Sequence, residues 1–228
     1  MSRHRIVAAG DAALVIEFEE RIDPAIAARG AALADALDAA HISGVRDVVP
    51  TFRSVAVYFD PMKTDATALV QVIENIVRKT AASPSIKGNP IEIPVCYGGD
   101  FGPDLSRVAE FGRVSEAEVI ELHSAITYHV MMLGFMPGFA YMATVDPRIA
   151  APRLDSPRRH VARGSVGIAK AQTGIYPGDT PGGWQVIGRA PVRPFDMSRP
   201  DPFLFRAGDE VRFVPIGFEE FAQLDRAS

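Results

Sequence analysis

The chain has 228 residues, 47% hydrophobic and 23% charged, close to globular averages, so disorder and fibrous architectures are excluded for its bulk. The formal charge is −4, which disfavours nucleic-acid binding driven by overall charge. One cysteine, Cys96, excludes an internal disulfide and a cysteine-based zinc site, and fits a reducing compartment.

Met1 to Val7 carries Arg3 and Arg5 without a following apolar run, so no secretory signal is expected. The longest uncharged stretch, 130–145, is shorter than the roughly 20 residues of a membrane helix and is broken by Gly134, Pro137 and Gly138. The expectation is a cytoplasmic protein without membrane contact.

Glycine and proline divide the chain. Residues 1–90 hold 4 Gly and 5 Pro, whereas 91–228 hold 15 and 13, so two architectures are expected, with domains at 1–90 and 91–228. In the first, residues 13–18 predict a strand. Asp23 caps a helix whose first turn takes Pro24 and whose face carries Ile26, Leu33, Leu37 and Ala40. Residues 45–49 and 54–59 predict strands around Pro50. Thr64 or Asp65 caps a second helix bearing Leu69, Val70, Ile73, Ile76 and Val77. Residues 81–90 predict a linker, and 91–95 a strand belonging to either domain. The order βαββαβ is that of a ferredoxin-like α+β domain.

In the second part, residues 104–111 predict a short helix, and Ser115 to Glu118 form a capping box for another. Beyond Tyr128, short apolar runs at 128–133, 164–169, 184–187 and 210–214 alternate with Gly/Pro turns, the pattern of a small closed β structure.

Five segments carry candidate chemistry. In 133–141, Phe135, Pro137, Gly138 and Phe139 can wall a flat ligand, or simply form a strand, a turn and a strand. In 164–177, Gly164, Gly167, Lys170, Gln172, Thr173 and Tyr176 can hold an anion, or form two barrel strands with glycine bends. It is not a P-loop, since Gly-Lys-Ser/Thr never occurs. After Gly182 and Gly183, Trp184 either stacks on a ligand or anchors a core. Residues 148–170 invert the local charge, with Arg148, Arg153, Arg158, Arg159, Arg163, Lys170 and His160 against Asp155, which suits an anionic ligand or an acidic partner surface. His123, on a helix, is either an acid–base group or a histidine satisfied by a local bond. No metal motif is present.

Taken in order, Ile93 to Gly99, Phe101 to Leu105, Leu122 to Ser124, Gly134 to Tyr141, Gly164 to Pro177 and Pro181 to Arg189 resemble the B subunit of the bacterial ATP-dependent 5-oxoprolinase. That family is also named allophanate hydrolase subunit 1, carboxyltransferase domain subdomain C/D, and the sporulation-kinase inhibitor family. The resemblance spans about residues 6–217.

It implies a small α+β domain followed by a cyclophilin-like β-barrel. It implies partnership with two further subunits of the 5-oxoprolinase complex, a homologous one designated C and another designated A. The complex would open 5-oxoproline to glutamate with ATP cleaved to ADP and phosphate. ATP belongs to the complex, not necessarily to this chain. On this reading Lys170, Arg153, Arg158 or the Gly164–Gly167 backbone meets developing negative charge, and Gln172 and Tyr176 hydrogen-bond a small anionic amide. Phe135 and Phe139 line its ring, and His123 moves a proton. The alternatives are a carboxyltransferase-type or allophanate hydrolase-related subunit that uses urea-like amides, and a histidine-kinase inhibitor without chemistry. One departure stands out: Ala162, Arg163 and Lys170 replace the family's usual Pro, Ala and final Gly, so either a reshaped loop at 170 or a different preferred substrate is expected.

Overall fold

The computed structural model describes residues 4–21, 23–80 and 90–227. The expected linker at 81–90 lies outside the described residues except for Pro90. The chain separates into two compact units, Met1–Ile86 and Lys87–Ser228.

The first unit runs β1 (Arg5–Ala8), β2 (Ala13–Glu17), α1 (Pro24–Ala39), β3 (Val45–Pro50), β4 (Ser54–Phe59), α2 (Ala66–Lys79). Its sheet has the order β1-β2-β4-β3 and every pairing is antiparallel. β4 lies between β2 and β3, the split arrangement expected of a ferredoxin-like sheet. Asp23 accepts the Ala25 N–H at the start of α1, and Asp65, not Thr64, accepts that of Ala68 at the start of α2. Strand alternation sends Val55, Val57 and Phe59 to one face, where they meet Leu33, Leu37, Leu69 and Ile73. Ala40 is the exposed C-cap of α1 and is not on its buried face.

The place of residues 91–95, open between the two domains in the sequence, is settled. The fourth strand of this sheet is the N-terminal β1, not residues 91–95. Those residues open β5 (Ile91–Tyr97), which pairs with strands of the second unit. β1 has only four residues with a half-exposed pattern, so the sequence carried little signal for it.

The second unit continues with α3 (Leu105–Gly112), α4 (Glu116–Ser124), β6 (Thr127–Leu133), β7 (Ala140–Ala143), β8 (Arg158–Val161), β9 (Ser165–Ala169), β10 (Gln172–Ile175), β11 (Thr180–Gly182), β12 (Gln185–Arg189), β13 (Glu210–Pro215) and α5 (Phe218–Ala227). Seven strands close a barrel in the order β10-β7-β6-β13-β5-β12-β9, and β8 and β11 form a separate ribbon. Only β5 and β13 pair in parallel within the barrel. Val95, Val130, Met142, Val166, Ile168, Ile175, Ile187 and Phe213 fill the interior. α3 packs on β12 and α4 on β13, and the capping box at Ser115 and Glu118 forms as expected.

β9 and β10 are joined by Lys170 and Ala171 alone, since Ala169 and Gln172 are register partners. Lys170 takes φ +53°, the left-handed conformation a glycine adopts freely. The turn therefore keeps a glycine-type backbone, and the substitution adds an exposed cation at its tip. For a residue with a Cβ this conformation costs roughly 1–2 kcal/mol, of which glycine's greater unfolded-state freedom cancels part. Lys170→Gly is therefore expected to raise stability by about 0.5–1 kcal/mol. Chemical denaturation of the two proteins measures this, and a loss of stability contradicts the assignment.

Candidate functional site

β7 and the segments flanking β10 and β11 bring aromatic side chains together outside the barrel interior. Phe139, Val161, Ala169, Tyr176, Trp184 and Val186 form a small core of their own, with Met136 and Tyr141 against it. The Phe139 ring is the hub. Its centroid lies 4.8 Å from Tyr141, 5.3 Å from Tyr176, 5.3 Å from Trp184 and 5.7 Å from Phe135, and all four contacts are edge-to-face.

These rings wall a cavity of about 220 Å³. Seven sequence-predicted residues line it: Phe135, Phe139, Arg153, Tyr176, Gly182, Gly183 and Trp184. Tyr141, Pro157 and Pro181 complete the wall. A Cβ on Gly182 would stand 2.5 Å from the Tyr176 hydroxyl, so glycine there is what leaves the phenol room. Phe135 is 63% exposed at φ +71°, and the Met136 N–H donates to the Gly134 carbonyl across it. A bulky residue is seldom found in that conformation. Here it holds an aromatic ring at the cavity wall.

Among the described residues Arg153 is the one cation in the lining. Its guanidinium lies 5.9 Å from the Trp184 ring, and among the described residues no carboxylate pairs with it. Burial raises the Tyr176 hydroxyl above its ordinary pKa, and the Trp184 backbone N–H and Arg153 act against that shift. Burial likewise raises Tyr141. Both phenols are protonated at neutral pH and available as donors. The cavity thus offers one free positive charge, two hydroxyls and flat apolar walls, which suits a small planar anion.

The other expected site residues lie elsewhere. Lys170 is exposed at its turn. Gln172 sits on β10 opposite Ala143 and Ala169, away from the cavity lining. Pro137 is exposed in the β6–β7 turn, and Gly138 is buried at φ +82° with Phe195 against it. Gly164 is a turn residue at φ +80°, bonded to Tyr176 and Ala190. Gly167 lies under Trp184, where an added Cβ would be 3.1 Å from the tryptophan Cβ. These glycines shape the barrel and do not face the cavity.

Arg158 is corrected more sharply. Its Nη2 donates to Asp104 Oδ1 at 2.6 Å, so its charge is already matched. The same holds for much of the basic segment. Arg148 pairs with Asp146, His160 with Asp179, and Arg163 with Asp225. Acids outside the segment supply the compensation, which a local charge count misses.

His123 is fully buried, on α4. Its Nε2 lies 2.8 Å from Thr173 Oγ1, and Thr173 in turn donates to the Gly167 carbonyl at 3.0 Å. The threonine proton is therefore committed, so Nε2–H is the donor to Thr173. Nδ1 then accepts from the Tyr97 hydroxyl at 2.8 Å. This neutral tautomer satisfies both nitrogens. His123 and Thr173 fasten α4 to the barrel core.

Burial pushes the His123 imidazole down to about 3. Below its ordinary value near 6.5 the unfolded chain binds a proton that the folded chain refuses. Its contribution is therefore complete above about pH 6.5 and is lost at roughly 1.4 kcal/mol per pH unit as pH falls toward 3. The thermal melt is expected to drop between pH 7 and pH 5, and His123→Gln should flatten that slope. An identical slope in the variant contradicts a buried neutral histidine.

Comparison with known proteins bears directly on this barrel. Residues 4–205 match the family described as carboxyltransferase domain, subdomain C and D. The 5-oxoprolinase B subunit of Bacillus subtilis is 38% identical over 96% of this chain and 95% of its own length. That of Escherichia coli O157:H7 is 40% identical over 94% and 97%. The chain belongs to the carboxyltransferase-domain subdomain C and D family, among the 5-oxoprolinase B subunits. The solved structure of TTHA0988 superposes with a TM-score of 0.81 at 35% identity over 90% of this chain. This chain spans 40% of that longer one. Urea amidolyase of Lachancea kluyveri is a distant relative, 24% identical over 96% of this chain and 13% of its own length.

Proposed function

We propose that this chain is part of an ATP-dependent 5-oxoprolinase and that the aromatic cavity receives 5-oxo-L-proline. The observation that carries the reading is Arg153: a cation without a carboxylate, at a cavity of flat rings, in a chain whose relatives are named for this reaction. The substrate has a carboxylate for the guanidinium, a planar lactam for the rings and a carbonyl oxygen for a phenol.

The complex includes two further subunits, the homologous C and the A component. ATP phosphorylates the lactam oxygen and leaves as ADP. Water then adds to the activated carbon, the C–N bond opens with the nitrogen taking a proton to leave γ-glutamyl phosphate, and a second water displaces phosphate to give glutamate. Tyr176 and Tyr141 donate to the oxygen while it carries charge. This chain has no Gly-Lys-Ser/Thr loop, and ATP is assigned to the complex, not to this cavity.

The test is co-expression with the two candidate subunits and measurement of 5-oxoproline-dependent ADP release. Arg153→Gln is expected to raise KM about ten- to a hundredfold, the worth of a charge-assisted hydrogen bond. Tyr176→Phe is expected to lower kcat about tenfold with the melt little changed. Turnover of a urea-type amide in place of 5-oxoproline, or full activity in both variants, overturns the proposal.

A further inference from the structure

Pro157 and Arg158 are consecutive, yet Pro157 lines the aromatic cavity and Arg158 lines a second hollow of about 230 Å³. The wall of this hollow includes Asp100, Phe101, Arg158, His160, Ser165 and Arg189. Most of its charge is accounted for. Arg158 is matched by Asp104 at 2.6 Å and His160 by Asp179 at 3.3 Å.

What is left is specific. The Arg189 Nε–H donates to the Arg163 carbonyl at 2.9 Å, and the guanidinium lies 5.7 Å from the Phe101 ring. Asp179, already held by His160 and the Arg163 N–H, feels its charge, but among the described residues no carboxylate forms an ion pair with it. Asp100 is exposed and has no cationic partner there either. Ser165 is 5% exposed and its side chain lines the hollow. Arg158 Nη1 is buried without a partner. Among the described residues, Arg189, Asp100, the Ser165 hydroxyl and the unpartnered Arg158 Nη1 therefore stand at one hollow with the Phe101 ring.

A simple anion in this hollow would face Asp100, and a simple cation would face Arg189. A zwitterion answers both. We propose that the hollow is a binding site for a free α-amino acid. Its carboxylate meets Arg189 and the Ser165 hydroxyl, its ammonium meets Asp100, and its side chain lies along Phe101. The Ser165 hydroxyl, which lines the hollow, donates to the carboxylate in place of solvent. This site is separate from the aromatic cavity and does not depend on the reaction assigned there.

Calorimetric titration of the full chain tests it, with L-alanine and L-glutamate set against propionate, glutarate and inorganic phosphate. Both amino acids are expected to bind, and propionate and glutarate at least tenfold more weakly than the amino acid of matching length. Asp100→Asn should erase that preference. Arg189→Gln should weaken the amino acids at least tenfold, and Ser165→Ala severalfold, the latter serving if Arg189→Gln shifts the melt. Arg107→Gln removes one positive charge from the exposed side of α3 and should change nothing. Absence of amino-acid binding at millimolar concentration overturns the site. So does phosphate or propionate binding as tightly as alanine, or a preference that survives Asp100→Asn.

Discussion

A single buried carboxylate joins the parts on which both cavities depend. Asp104 is 5% exposed at the start of α3. Its Oδ2 accepts the Val186 N–H at 2.7 Å, while its own N–H donates to the Val186 carbonyl at 2.9 Å. Its Oδ1 takes Arg158. One side chain thus ties α3 to β12 and β12 to the β8–β11 ribbon. Trp184 and Pro157, beside two of these partners, line the aromatic cavity, and Val186 and Arg158 themselves line the second hollow. Arg158 stays 32% exposed, so the pair is only partly buried; losing the charged acceptor of its hydrogen bond costs about 1–3 kcal/mol. The walls are therefore held by a strong, directional contact as well as by packing.

The barrel separates stability from chemistry. Its interior is aliphatic, closed by the parallel pairing of β5 and β13, and braced by the neutral Tyr97–His123–Thr173 relay. The aromatic cluster sits outside that core on the ends of strands and on turns, where glycine and Phe135 place backbone and ring in conformations regular strands do not allow. Residues at strand ends and turns can vary their chemistry without disturbing the interior.

Much of the fold was legible because its signals are local. Asp23-Pro24, the Ser115–Glu118 capping box and the alternation of Val55, Val57 and Phe59 each announce an element through neighbours a few residues away. β1 was not legible, because four half-exposed residues carry no periodicity. The site was legible where residue type and turn chemistry coincide, as in Phe135, Phe139 and Gly182 to Trp184. Tyr141 lay within the aromatic stretch 133–141 but was not singled out, although it lies two residues from Phe139, the spacing that puts side chains on one face of a strand. The roles of Arg158 and His123 stayed open for a different reason. What decides their roles, Asp104 for one and Tyr97 with Thr173 for the other, lies 26 to 54 residues away and is visible only in three dimensions.

Trp184 is the chain's only tryptophan and lies in the wall that Asp104 is held to position, so its fluorescence reports on that wall alone. Asp104→Asn keeps the shape of the side chain and removes its charge. With far-UV circular dichroism unchanged, the emission is expected to shift to the red and to become more accessible to acrylamide quenching. Emission and quenching identical to those of the unaltered protein would show that the wall stands without the carboxylate and would contradict the account.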